Sequence, residues 1–152
     1  MKIATANSIL ITGESLHPNP FELFCRCFAH LSRNSFLPKL QWIWSTGFQL
    51  LGDDHPRADA GHLRRFRSIY GAPPEDVAVA WNLIEEDPPE GIRKNRSTKH
   101  LLWALALLKN YATEVFNAKL FKCDDDTWRY WSTVYISALA KLSFKIVSAF
   151  GV

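Results

Sequence analysis

Four groups of residues in this 152-residue sequence have side chains and spacings that could do chemistry. The first is Asp124-Asp125-Asp126, three carboxylates in a row. A two-metal centre needs carboxylates converging on ions about 3.5–4 Å apart, whereas adjacent residues in one helical turn point around its circumference. The run reads better as a helix start, with Asp124 as N-cap and Asp125 and Asp126 favoured by the helix dipole. The second group is Cys25-x-Cys27 with His30. A structural zinc site needs four ligands, and His17 would have to be drawn in to complete the set, so no metal site is expected. The third is Trp103, Trp128 and Trp131, which could stack bases. Their helical spacing makes them core residues instead. His62 and His100 have no Cys or Ser partner at motif spacing, so nucleophilic catalysis has no support. Catalytic residues and cofactors are therefore expected to be none.

The fourth group is Arg93, Lys94, Arg96 and Lys99, a basic cluster just ahead of an apolar run. Lys and Arg neutralise phosphates, and a basic loop suits that role. The plain alternative is a solvated loop. Net charge is only +3, but its distribution is uneven. Gly91 to Lys122 holds seven basic residues and one acid, while Asp53 to Glu90 holds four basic residues and nine acids.

The elements that must position these residues follow from composition and periodicity. With 47% hydrophobic and 22% charged residues, the chain can build a core. Three cysteines make no disulfide framework, which fits a reducing compartment. The longest strictly apolar run, Leu101 to Leu108, is far short of the roughly 20 residues that span a bilayer. No membrane association is expected, and the location should be intracellular. In residues 1–56, an aromatic-rich third, periodicity leaves helix and strand both open. "LGDDHPRADAGH" is an exposed connector, and a boundary is placed there.

From His62 the pattern is helical. Leu63, Phe66 and Ile69 or Tyr70 share a side, and Gly71 is a left-handed stop. "PPEDVAVAWNLIEED" opens with Pro and two acids, and Val77, Trp81 and Ile84 line one face. Ser97 or Thr98 can cap the next helix, Lys99 to about Asn110, which is apolar nearly all round and should be the most buried. Thr113 with Glu114 restarts a helix of about two turns. After Asp124, Trp128, Trp131, Tyr135, Ala138, Leu142 and Ile146 recur on one face, with Arg129, Ser132, Thr133, Lys141 and Lys145 elsewhere.

Three blocks then carry a family likeness: "FRSIYG" (66–71) with Trp81 beyond it, "KHLLWALALLKNYATE" (99–114), and "WRYW" (128–131) followed by "ISALAKL" (136–142). They resemble the N-terminal helix-turn-helix domain of PIF/Harbinger-type transposases, whose catalytic part is a DDE endonuclease. The middle block is the most specific. The family more often has Phe where Trp128 stands, and the tail "KIVSAFGV" departs from its usual continuation. The likeness covers about half the chain, Leu63 to Leu142, and the first 56 residues match nothing in it.

The resemblance implies a tri-helical helix-turn-helix core, and with the helical periodicity the expected fold is all-α, with one or two extra helices before that core and an N-terminal third that is irregular or left open. The divisions are 1–56, a helical domain over 57–148, and a tail over 149–152. It implies a double-stranded DNA partner and a nuclear location. The family's nuclease segment would follow the last helix and is expected to be missing from this sequence, so the module should be noncatalytic. In a helix-turn-helix the second helix of the pair reads bases with its N-terminal part. Those residues would be Thr127, Arg129, Tyr130 and Thr133, beside the phosphate-contacting Arg93, Lys94, Arg96 and Lys99. The acidic run Asp124–Asp126 would repel phosphate there. The alternative is a helical protein-interaction module of transposon origin that no longer binds DNA, with the aromatic-rich N-terminal region supplying contacts to another protein.

Overall fold

The computed structural model describes residues 33–88, 92 and 96–149, the side chains of 33–37 and 144–149 excepted. Every regular element of any length among them is an α-helix: α1 (Arg33–Gln49), α2 (Ala60–Tyr70), α3 (Pro74–Glu86), α4 (Thr98–Asn110), α5 (Glu114–Leu120) and α6 (Asp125–Ala149). The protein is all-α. Among the described residues, no helix is long and apolar enough to cross a membrane.

Local chemistry sets the ends of these helices. Asp59 caps α2 by accepting from the His62 backbone N–H at 2.8 Å. Gly71 ends α2 with φ 77°, a left-handed turn in which its N–H bonds the Arg67 carbonyl. Pro74 opens α3 with Glu75 and Asp76 in the first turn. Thr113 caps α5 through the Phe116 N–H, and the Asp124 carboxylate accepts from the Thr127 N–H at 3.1 Å. At α4 the expected cap takes another form. Ser97 occupies the cap position without a side-chain bond, and the Thr98 hydroxyl accepts from the Trp42 indole of α1 at 3.0 Å.

α4 packs against α1, α2 and α6, and α6 also packs against α3 and α5. Leu101, Leu102 and Ala104 of α4 are fully buried, but its C-terminal turn faces outward, leaving Leu105 half-buried and Leu108 exposed. Its apolar circumference therefore exceeds the surface that its neighbours cover, and α3 is buried to the same degree. On α6, Trp128, Tyr135 and Ala138 are buried as their spacing predicts. Ser132 is buried as well, against the expectation that it falls on the outer side. Positions 128, 132 and 135 lie on one helical stripe, so the small serine belongs to the packed face. Residues 33–49, whose periodicity leaves helix and strand both open, form α1. Its Ile43 and Phe48 enter the same core cluster as Phe66, Tyr70 and Trp81. That cluster takes in side chains from both sides of the exposed connector.

Candidate nucleic-acid interface

α4 and α6 run antiparallel, and two contacts fix their register: the Ser97 N–H reaches the Tyr135 hydroxyl at 3.4 Å, and the His100 ring stacks on Trp131 with centroids 4.2 Å apart. Trp103 meets Phe121, at the end of α5, at 6.3 Å. The α4–α6 pairing sets Arg96, at the entrance to α4, beside Tyr135 in the third turn of α6, while Lys99 lies toward the turn between α5 and α6. Both are exposed, and the Lys99 ammonium sits 5.6 Å from the Trp103 ring. The Lys99 charge is felt at Cys123, next to the α6 cap. Burial raises the Cys123 thiol pKa, the Asp124 charge adds to the rise, and Lys99 opposes it.

The sequence-predicted residues of α6 divide into two groups. Tyr130 is exposed and stands edge-on at 5.2 Å to Trp131, the ring on which His100 stacks. Thr127 is exposed, but its N–H and hydroxyl are both directed to the Asp124 carboxylate. Thr133 is exposed, and its carbonyl accepts from the Ser137 hydroxyl. Arg129 is drawn away to α5. Its Nε donates to Glu114 Oε2 at 2.6 Å and its Nη1 to Asp126 Oδ1 at 2.9 Å. The hydrogen bond to Glu114, followed by that residue's charge, raises the guanidinium pKa. Arg93 and Lys94 lie outside the described residues, as do Cys25, Cys27, His30 and His17. Trp103 and Trp128 are core residues, as their spacing predicts.

Two participants are not apparent from sequence. Trp42 is 64% exposed and pinned by its indole to Thr98, two residues from Arg96, which adds an aromatic face to this edge. It lies 56 residues away in the chain, so no local signal points to it. Glu114 reads as a helix-start residue, yet it also holds Arg129 across 15 residues.

Together these residues offer exposed cations and two exposed aromatic rings, with acids at the α6 cap. Such a surface can contact phosphates and stack on or against bases. No grouping of three His, Cys, Asp or Glu side chains suited to a metal ion occurs among the described residues. No family model matches the sequence, and no curated protein or solved structure matches it.

Proposed function

We propose that this chain is a noncatalytic helix-turn-helix module that binds duplex DNA in the nucleus, akin to the N-terminal domain of Harbinger-type transposases. The observation that carries the reading is the antiparallel α4–α6 pairing, which sets the exposed Arg96 beside the third turn of α6 and Lys99 near the α6 cap, with Tyr130 exposed on α6 and Trp42 exposed against Thr98. In this reading Arg93, Lys94, Arg96 and Lys99 contact the phosphate backbone, and Tyr130, Thr127 and Thr133 face the groove. Arg129 is held in reserve by Glu114 and Asp126, and the acids at the cap keep affinity low.

The test is fluorescence anisotropy on a short duplex over a range of salt concentrations. Each phosphate that a cation neutralises contributes about 0.9 to the log–log salt slope, so Arg96→Gln with Lys99→Gln should lower it by about 1.8. Glu114→Gln should tighten binding by releasing Arg129. An unchanged slope in the double variant would remove the basic edge from the proposal.

A second reading, a protein-interaction module, has one observation of its own. Leu108, Tyr111, Val115, Phe116 and Leu120 are all exposed around α5. Absence of any salt-dependent duplex binding by the parent would put that reading first.

A further inference from the structure

A groove of about 1060 Å³ lies on the side chains of α1, the connector and the N-terminal ends of α2 and α3. Its floor is apolar, made by the half-buried Leu40, Trp44 and Leu63 and the buried Pro74. Its lip carries Asp54 and Glu75, both exposed and without an ion-pair partner among the described residues. Asp59 lines it too, but is committed to the His62 backbone N–H and ring. No Lys or Arg is among the lining residues.

Size and charge narrow the occupant. Small-ligand clefts run to about 300–1,000 Å³ and enclose most of their ligand. This groove is at the upper limit and open on one side, so it suits a row of side chains from a peptide. A polyanion would meet two unpaired carboxylates. A cation-bearing segment would neutralise them while its apolar face covers Trp44 and Leu63. We infer that this groove docks a basic amphipathic segment of a partner protein, with apolar residues on the floor and Lys or Arg at Asp54 and Glu75. The site is independent of the DNA reading and takes a ligand of the opposite charge.

The experiment uses the full chain and two fluorescein-labelled peptides, one of Lys and Leu at amphipathic helical spacing and its Glu/Leu counterpart. Fluorescence anisotropy should show that the Lys/Leu peptide binds and the Glu/Leu peptide does not. Asp54→Asn with Glu75→Gln should weaken binding about threefold to tenfold, the range for two exposed ion pairs, and should flatten its salt dependence. Both positions are exposed, so these replacements leave the core intact. Amide shifts on titration should fall on Leu40 to Ser45 and Asp54 to Leu63. Equal binding of the two peptides, an unaffected double variant, or shifts confined to α5 and α6 would each overturn the inference. So would a concentration-dependent doubling of mass without peptide that the double variant abolishes, because a second copy would then be the occupant.

Discussion

Gly47 lies where α1 crosses α2, and a Cβ there would come within 2.5 Å of Phe66 Cε2 and 3.3 Å of Tyr70 Cε2. Its carbonyl accepts the Tyr70 hydroxyl at 2.7 Å, while the Leu51 N–H bonds to Phe48 instead. Gly47→Ala gains about 1 kcal/mol of helix propensity but overpacks a buried ring, at a cost of about 1–3 kcal/mol. Because Phe66 is wholly buried among other rings, overpacking should win and the melting temperature should fall. Tyr70→Phe should cost about 1–2 kcal/mol in a urea melt by leaving that carbonyl without its partner. His100 gives a pH-dependent test. Burial first, then the Lys99 charge, lowers its pKa from 6.5 to about 4. Between those values the unfolded chain takes up a proton that the folded chain resists. Stability from this residue is therefore full above pH 6.5 and is lost as pH falls toward 4. His100→Gln should lose that part of the pH dependence, checked by urea midpoints for both proteins at about pH 7 and about pH 4.5. A parent and variant with parallel pH profiles would mean that His100 does not titrate as stated.

The helices with strong punctuation are legible in the sequence. Gly71, Pro74, Thr113 and Asp124 mark ends or starts where the structure has them, because capping depends on residues only a few positions apart. α1 is not legible, since Pro38 lies inside it and apolar residues occupy more than one of its faces. Tertiary partners stabilise it: Lys39 reaches Asn82 and Glu85 of α3 at 2.7 Å each, and Trp42 reaches Thr98. At this scale Asp124→Ala should cost about 1 kcal/mol by removing the α6 cap. Arg129→Ala, which breaks only exposed, solvent-screened ion pairs, should cost less than that. Thermal melts of the two variants would check the order, and a larger drop from Arg129→Ala would mean that α5 depends on that pair to stay docked.

The candidate interface is legible only in part, because it is assembled at the scale of the whole molecule. Local charge points to Arg96 and Lys99, but the retention of Arg129 by Glu114 and the approach of Trp42 depend on how distant helices pack. The same packing bears on how the chain unfolds. An exposed connector separates α1 from α2, yet Ile43 and Phe48 share one core with Phe66, Leu101, Leu102 and Trp128. A core shared in this way makes the removal of α1 side chains costly for every helix that they cover. Ile43→Ala should therefore destabilise the whole protein by about 2–5 kcal/mol, as should Leu102→Ala. Both are large against the roughly 5–15 kcal/mol by which domains of this size are stable. Leu105 is only half-buried, so an acid there should do less harm than one at Leu101 or Leu102. In a denaturant titration, tryptophan emission and far-ultraviolet ellipticity should change together in the parent, and Ile43→Ala should move both midpoints equally. Two separated transitions, with Ile43→Ala shifting only the first, would show that α1 unfolds independently of α4 and α6.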